Sequence, residues 1–129
     1  MDDQYIPTLG MQMVAGRNFS EKFPTDSTGI IINESAARTY GWSAMNAVGK
    51  VIIRENSDRG TNVPYHVVGV VKDFNFKSLH QPISPLLMTL QPGWGLIFKI
   101  NTADIQSLLG KMKTQWDQFN TGEPFTYAF

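Results

Sequence analysis

The chain has 129 residues, 42% of them apolar and 17% charged, which suits one folded domain or two small lobes and argues against disorder. Lys+Arg and Asp+Glu balance at 11 each, which excludes the basic footprint of a nucleic-acid binder and a polybasic membrane-surface anchor. There is no cysteine, so disulfides, thiolate metal sites and a cysteine nucleophile are excluded too. No apolar run approaches the roughly 18 residues of a membrane span, and no signal-peptide pattern opens the chain.

In chain order, Asp2 to Leu9 allows a short helix of a turn or two, limited by Pro7. Met11 to Val14 can extend, and Gly16 breaks it. Asn18 to Thr28 is polar, contains Pro24 and reads as a surface loop. Gly29-Ile30-Ile31-Ile32 is a short β-branched strand. Asn33 follows as a helix N-cap, with Glu34 well placed against the dipole and Gly41 fitting the other end of a helix from Glu34 to Tyr40. Ala36, Ala37 and Tyr40 are expected to face the core.

Val51-Ile52-Ile53 is a second strand, and Glu55 to Pro64 a polar loop. Tyr65 to Val71 is the strongest strand signal. Its valines around Gly69 predict burial on both faces, with the glycine allowing close backbone approach. Phe74 to Pro85 is irregular. Leu86 to Leu90 and Leu96 to Ile100 read as two strands of a hairpin around Gln91 to Gly95. Thr102 is the expected cap of a long helix from Ala103 to about Phe119. Ile105, Leu108, Leu109, Met112, Trp116 and Phe119 form one stripe along it. Phe125 to Phe129 reads as a last strand. Trp116, Phe119 and Phe98 fall at core periodicities.

Chemistry is hard to find in these residues. There is no G-x-S-x-G elbow, and His66 and His80 have no fixed spacing to a serine or carboxylate. Glu55, Asn56, Asp58 and Asn62 are oxygen-rich but lack the calcium-loop pattern. Gly49-Lys50 lacks the rest of a phosphate-binding loop. The chain therefore reads as non-enzymatic, without a metal or cofactor of its own. Trp42 and Trp94 lie in turns, and Phe74 and Phe76 follow the strongest strand; these four aromatics are the candidate partner contacts.

One ordered set of segments is more specific. Gly16-Arg17-Asn18-Phe19, Ile32-Asn33-Glu34-Ser35-Ala36-Ala37, Val48-Gly49-Lys50 and Val67-Val68-Gly69-Val70-Val71-Lys72-Asp73-Phe74 follow one another at these distances. In this order the chain resembles, from about Tyr5 to its C-terminus, the periplasmic core domain of MacB/FtsX-type ABC transporter permeases, in a style like that of Bacteroidetes members. Gly16 and Gly49 then supply turn geometry, and Gly69 close packing. Arg17 fastens its loop to a carboxylate or to carbonyls, and Asn33 caps the helix.

The resemblance implies an α+β fold with mixed sheets. Residues 1–80 would be a small β-rich inserted lobe with one short helix. Residues 81–129 would be a strand-strand-helix-strand half of the porter-like part. The family's first α/β half and membrane helices are not in the sequence, so the chain is expected to be a fragment.

The implied function is an extracytoplasmic, non-catalytic domain on the periplasmic side of the inner membrane. It would contact a partner or substrate protein and transmit ATP-driven motion for export, lipoprotein extraction or hydrolase activation. Implied partners are the rest of the permease, a cytoplasmic ATPase that binds the ATP, and a periplasmic adaptor or lipoprotein. The segment itself would insert into no membrane. The alternatives are a stand-alone periplasmic ligand- or peptide-binding module, marked by a closed pocket, and a hydrolase, marked by a cluster of perturbed titratable groups.

Overall fold

Residues 2–56, 61–75, 82–91, 95–119 and 122–129 are described by the structure, a computed structural model. Within residues 1–98 the elements run α1 (Tyr5–Thr8), β1 (Met13–Gly16), a 3₁₀ turn (Pro24–Thr28), β2 (Gly29–Asn33), α2 (Glu34–Thr39), α3 (Ala44–Ala47), β3 (Val51–Asn56), β4 (Thr61–Val71) and β5 (Leu87–Thr89). Residues 99–129 form a second compact unit carrying α4 (Ile105–Phe119). The fold class is α+β, and the first unit carries, among the described residues, a mixed five-stranded sheet.

β4 organises the sheet. It pairs antiparallel with β1 and β3 and parallel with β2, while β5 pairs antiparallel with β2. β2 is buried at all five positions because both faces are covered. Ile30 and Ile32 pack with Ala36, Ala37, Ala47, Ile52, Tyr65, Val67 and Val70. Ile31 faces the other way, with Ile6, Phe19, Val71 and Met88. The alternation along β4 is broken between Val67 and Val70: Ile30 opposes Val67 but Ile31 opposes Gly69, so Val68 is an extra residue. That bulge lets Val67 and Val70, three apart, serve the same core.

Alanines at 36 and 37 bring α2 close to the sheet, and Ala36 has no exposed surface. Ala36→Val is therefore expected to destabilise by about 1–3 kcal/mol through overpacking. Urea unfolding with an unchanged m-value would show it; a neutral result would mean that this face has room to spare.

Several elements depart from the sequence reading. The strands β3 and β4 extend into the expected polar loop from both sides, pairing as far as Asn56 with Thr61, with residues 57–60 outside the described residues. A two-stranded ribbon turns polar residues to solvent and so resembles a loop in sequence. Pro64 is tolerated inside β4 because β2 begins only opposite His66, leaving β3 as the one neighbour there. The single-turn α3 was not foreseen; Ser43 Oγ accepts from Asn46 N at 3.3 Å and caps it. Tyr40, expected in the core, is 44% exposed, because α2 stops at Thr39 and Tyr40 leaves the helical periodicity.

Leu86 to Leu90 does contain a strand, but β5 pairs with β2, not with residues 96–100. Residues 96–100 and 125–129 are not strands: they have no ladder partner among the described residues, and β-propensity needs one. The connection at residues 92–94 lies outside the described residues. β5 lies beyond the expected boundary at residues 80/81 yet shares a sheet with β2, and the chain separates into compact units at Phe98 and Lys99.

In the second unit, Asp104 rather than Thr102 caps α4. Its Oδ1 accepts from Ser107 N at 3.0 Å, while Thr102 Oγ1 accepts from Asp104 N at 3.2 Å. The apolar stripe is present, but no residue of α4 is fully buried, and Phe119 is 83% exposed. Phe98, at the end of the first unit, is also exposed, so the packing roles expected of both phenylalanines are corrected. Periodicity marks a face that favours burial, not what covers it. Trp116 is half-buried; its indole N–H donates to Glu123 O at 2.9 Å, and its ring meets Phe125, followed by Tyr127 and Phe129.

Candidate functional site

The motif residues build two fixed points on the sheet. At the first, β1 crosses β4 where both backbones are unobstructed. Gly16 has φ +69°, and a Cβ there would lie inside contact distance of Val68 O and 2.8 Å from Gly69 Cα. A Cβ on Gly69 would strike Arg17 O and lie 2.5 Å from Met13 Cε. The crossing is sealed by Arg17 N donating to Val68 O at 3.0 Å.

Just past this crossing, the Arg17 guanidinium forks onto Asp26, with Nη1 to Oδ2 at 2.8 Å and Nη2 to Oδ1 at 2.7 Å. Asp26 has no exposed surface and also accepts from Ser20 N at 2.9 Å. The Arg17 fork pulls the Asp26 carboxyl below its ordinary value; burial opposes this, and the Ser20 amide helps it down. The hydrogen bonds that Arg17 donates to Asp26 in turn raise the Arg17 pKa. The guanidinium also lies 4.0 Å over the Phe23 ring. Asn18 ties the same loop to the N-terminal segment, donating to Asp3 O at 2.7 Å.

The second fixed point is the junction of β2 and α2. Asn33 has no exposed surface, and both polar atoms of its side-chain amide are hydrogen-bonded. Oδ1 accepts from Ala36 N and from Leu86 N, both at 2.9 Å, and Nδ2 donates to Ser84 O at 3.0 Å. Its backbone N–H also donates to Leu86 O, at 3.1 Å. The exit of β4 reaches the same helix end: Asp73 Oδ1 accepts from Ser35 N at 2.8 Å, and Glu34 Oε2 accepts from Asp73 N at 3.0 Å. This is the reciprocity of a capping box, closed between two segments far apart in sequence. Arg38, in the last turn of α2, completes it with an ion pair to Asp73 Oδ2. The sequence pointed to Asn33 as the cap. Asp73 was visible only as a member of the segment from Val67 to Phe74, without a role of its own, because a partner 38 residues away leaves no local signature.

The aromatic candidates are not gathered together. Trp42 is half-buried against the core that holds Ile30 and Ile32, and it stacks on Tyr40 with ring centroids 4.9 Å apart. Phe74 is half-buried against the core that holds Ile31, on the opposite face of β2. Both were expected to be exposed. Each instead fills the margin of a core with most of its ring, as a large apolar side chain near a sheet does. Phe76 and Trp94 lie outside the described residues, as does His80. Tyr40, stacked on Trp42, and the 74%-exposed Met45 of α3 face solvent; Tyr40 was expected in the core, and Met45 did not stand out in the sequence. Gly49 has φ +85° and donates its N–H to Val67 O at 2.8 Å, closing the turn before β3.

Among the described residues, no group of three or more His, Asp or Glu side chains is placed to hold a metal ion, and no helix is long and apolar enough to cross a membrane. No curated protein and no solved structure matches the chain. A family of protein domains, described as MacB-like periplasmic core domain, matches residues 1–115. That span includes both fixed points and every motif residue that builds them. The chain belongs to the MacB-like periplasmic core domain family, the periplasmic domains of ABC transporter-type permeases.

Proposed function

We propose that this domain contacts a protein partner in the periplasm and relays to it the motion of a permease driven by ATP. ATP would be bound and hydrolysed by a separate cytoplasmic subunit or domain, so the domain is non-catalytic. The observation that carries the reading is the stacked Tyr40–Trp42 pair. Trp42 is rooted in the core while Tyr40, together with Met45 on α3, presents apolar surface to solvent. Anchored aromatic surface of this kind is the usual centre of a protein contact. The partner classes that fit are a periplasmic adaptor, a lipoprotein or an exported protein.

Photo-crosslinking in the intact permease tests this. A photoreactive phenylalanine analogue at Tyr40 or Met45 is expected to capture an envelope protein. The yield should change when the ATPase is inactivated. The same probe at Glu21, exposed on the Arg17 loop, is the control. Equal capture from all three positions, or none from Tyr40 and Met45, would remove this surface from the proposal.

A further inference from the structure

The two segments held at the β2–α2 junction are the chain leaving β4 and the chain entering β5. Asp73 is tied through Glu34, Ser35 and Arg38. Ser84 to Leu86 is tied through Asn33. The two sets of bonds do not share an acceptor, but they share the first turn of α2. Asn33 Oδ1 accepts from Ala36 N, the residue after the Ser35 amide that Asp73 accepts. Glu34, between them, accepts from Asp73 N. Ser35 Oγ also donates to Ile83 O at 3.3 Å, so one residue touches both segments.

Such an arrangement has few intermediate states. Buried amides that lose an acceptor are costly, and the Asn33 amide has no water to fall back on. A displacement of Asp73 that tilts the first turn of α2 must lengthen the Asn33 bonds, and a displacement of Leu86 must do the reverse. We propose that this junction is a coupling joint: the exit of β4 and the entrance of β5 are released or held together, through Asn33 and the first turn of α2. The joint gives the relay proposed above a physical element in which two segments share one equilibrium. It rests on that reading for its purpose but not for its existence.

Amide hydrogen exchange on the chain by itself tests the joint without an ATPase or a partner. Failure here therefore leaves the crosslinking test unaffected. Asp73→Ala removes the acceptor of the Ser35 amide and the partner of Arg38, and touches none of the Asn33 bonds. The Ser35 amide is expected to lose protection, and the Leu86 and Asn33 amides should exchange about tenfold faster as well, the effect of loosening roughly one hydrogen bond. The Val67 and Gly49 amides, bonded to Lys50 O and Val67 O at the far end of the sheet, should stay as they are.

The reverse perturbation is Asn33→Asp, which keeps both acceptor bonds and loses the donation to Ser84 O. It should raise exchange at the Asp73 amide, which Asn33 does not touch. Faster exchange at Ser35 with Leu86 unchanged would overturn the joint. An equal rise at Val67 and Gly49 would also overturn it, by showing general destabilisation. If Asn33→Asp fails to fold, Asp73→Ala decides alone.

Discussion

Gly16→Ala is expected to destabilise the domain by about 3 kcal/mol or more, combining left-handed backbone strain of about 1–2 kcal/mol with a steric term of about 1–3 kcal/mol. The two nearest neighbours of the added methyl are backbone atoms, Val68 O and Gly69 Cα, so moving the third, the Val48 Cγ2 methyl at 3.1 Å, would not relieve the clash. Relief requires β1 to lift from β4, which would also loosen the bond from Arg17 N to Val68 O. Gly49→Ala is the matched control. Gly49 has an equally left-handed φ, but its Cβ would meet nothing within 4 Å, so only the strain remains, about 1–2 kcal/mol. Urea unfolding of the two variants separates close approach from conformation. Equal losses would mean that the crossing of β1 over β4 relaxes freely. Gly69→Ala attacks the same crossing from β4, where a methyl would strike Arg17 O; Gly69 is not left-handed, so the steric loss of about 1–3 kcal/mol is expected there without the strain.

The second large effect is at the Arg17–Asp26 pair. Arg17→Met keeps an apolar stem over Phe23 and leaves a carboxylate with no exposed surface facing no cation. Removing one partner of a buried pair costs about 3–5 kcal/mol, and the lower end applies here because the Arg17 side chain is 38% exposed and water can approach. The pH dependence carries a sign that a packing defect would not produce. In the native protein the Asp26 carboxyl titrates below its ordinary 3.8, so its contribution is present above that value and is lost as pH falls through the folded pKa. In Arg17→Met, burial without the fork raises the same carboxyl. That variant then gains stability as pH falls from neutral toward about 4. The gap between native and variant should therefore narrow on acidification, read as the difference in thermal midpoints at neutral and mildly acidic pH. A gap that stays constant would mean that Asp26 is not the group left exposed to the loss.

How far the sequence revealed this depends on whether the controlling interaction was local. The cap at Asn33 was legible, because the preference for asparagine before a helix concerns residues within one turn. The covering of the end of β4 on both faces was legible in its valines around Gly69, whereas β2 was legible as a β-branched strand but not as one buried on both faces. Arg17 announced a fork, yet whether its acceptor was a carboxylate or carbonyls was open until the 3₁₀ turn placed Asp26 beneath it. Pairing was the least legible. Leu86 to Leu90 has the composition of a hairpin arm, but its partner is β2, more than 50 residues earlier, and no turn chemistry encodes that choice. The stripe of α4 was visible while its surroundings were not. Trp42 and Phe74 were placed correctly at the ends of elements, but their burial depends on cores assembled from distant segments.

That β4 is the common partner of three strands also dictates an order of events during synthesis. β1 and β2 leave the ribosome, or cross a membrane, well before residues 61–71, and until then neither has a neighbour to pair with. β3 and β4 can close their ribbon as soon as both have emerged, since that contact is short in sequence. The ribbon is thus the natural template, and the earlier strands must be recruited backward onto it. An apolar stretch such as Gly29–Asn33, buried on both faces in the finished sheet, spends the interval unprotected. Newly made chains are therefore most vulnerable to aggregation and to proteases while β2 is out and β4 is not, a window set by strand order rather than by the stability of the final domain.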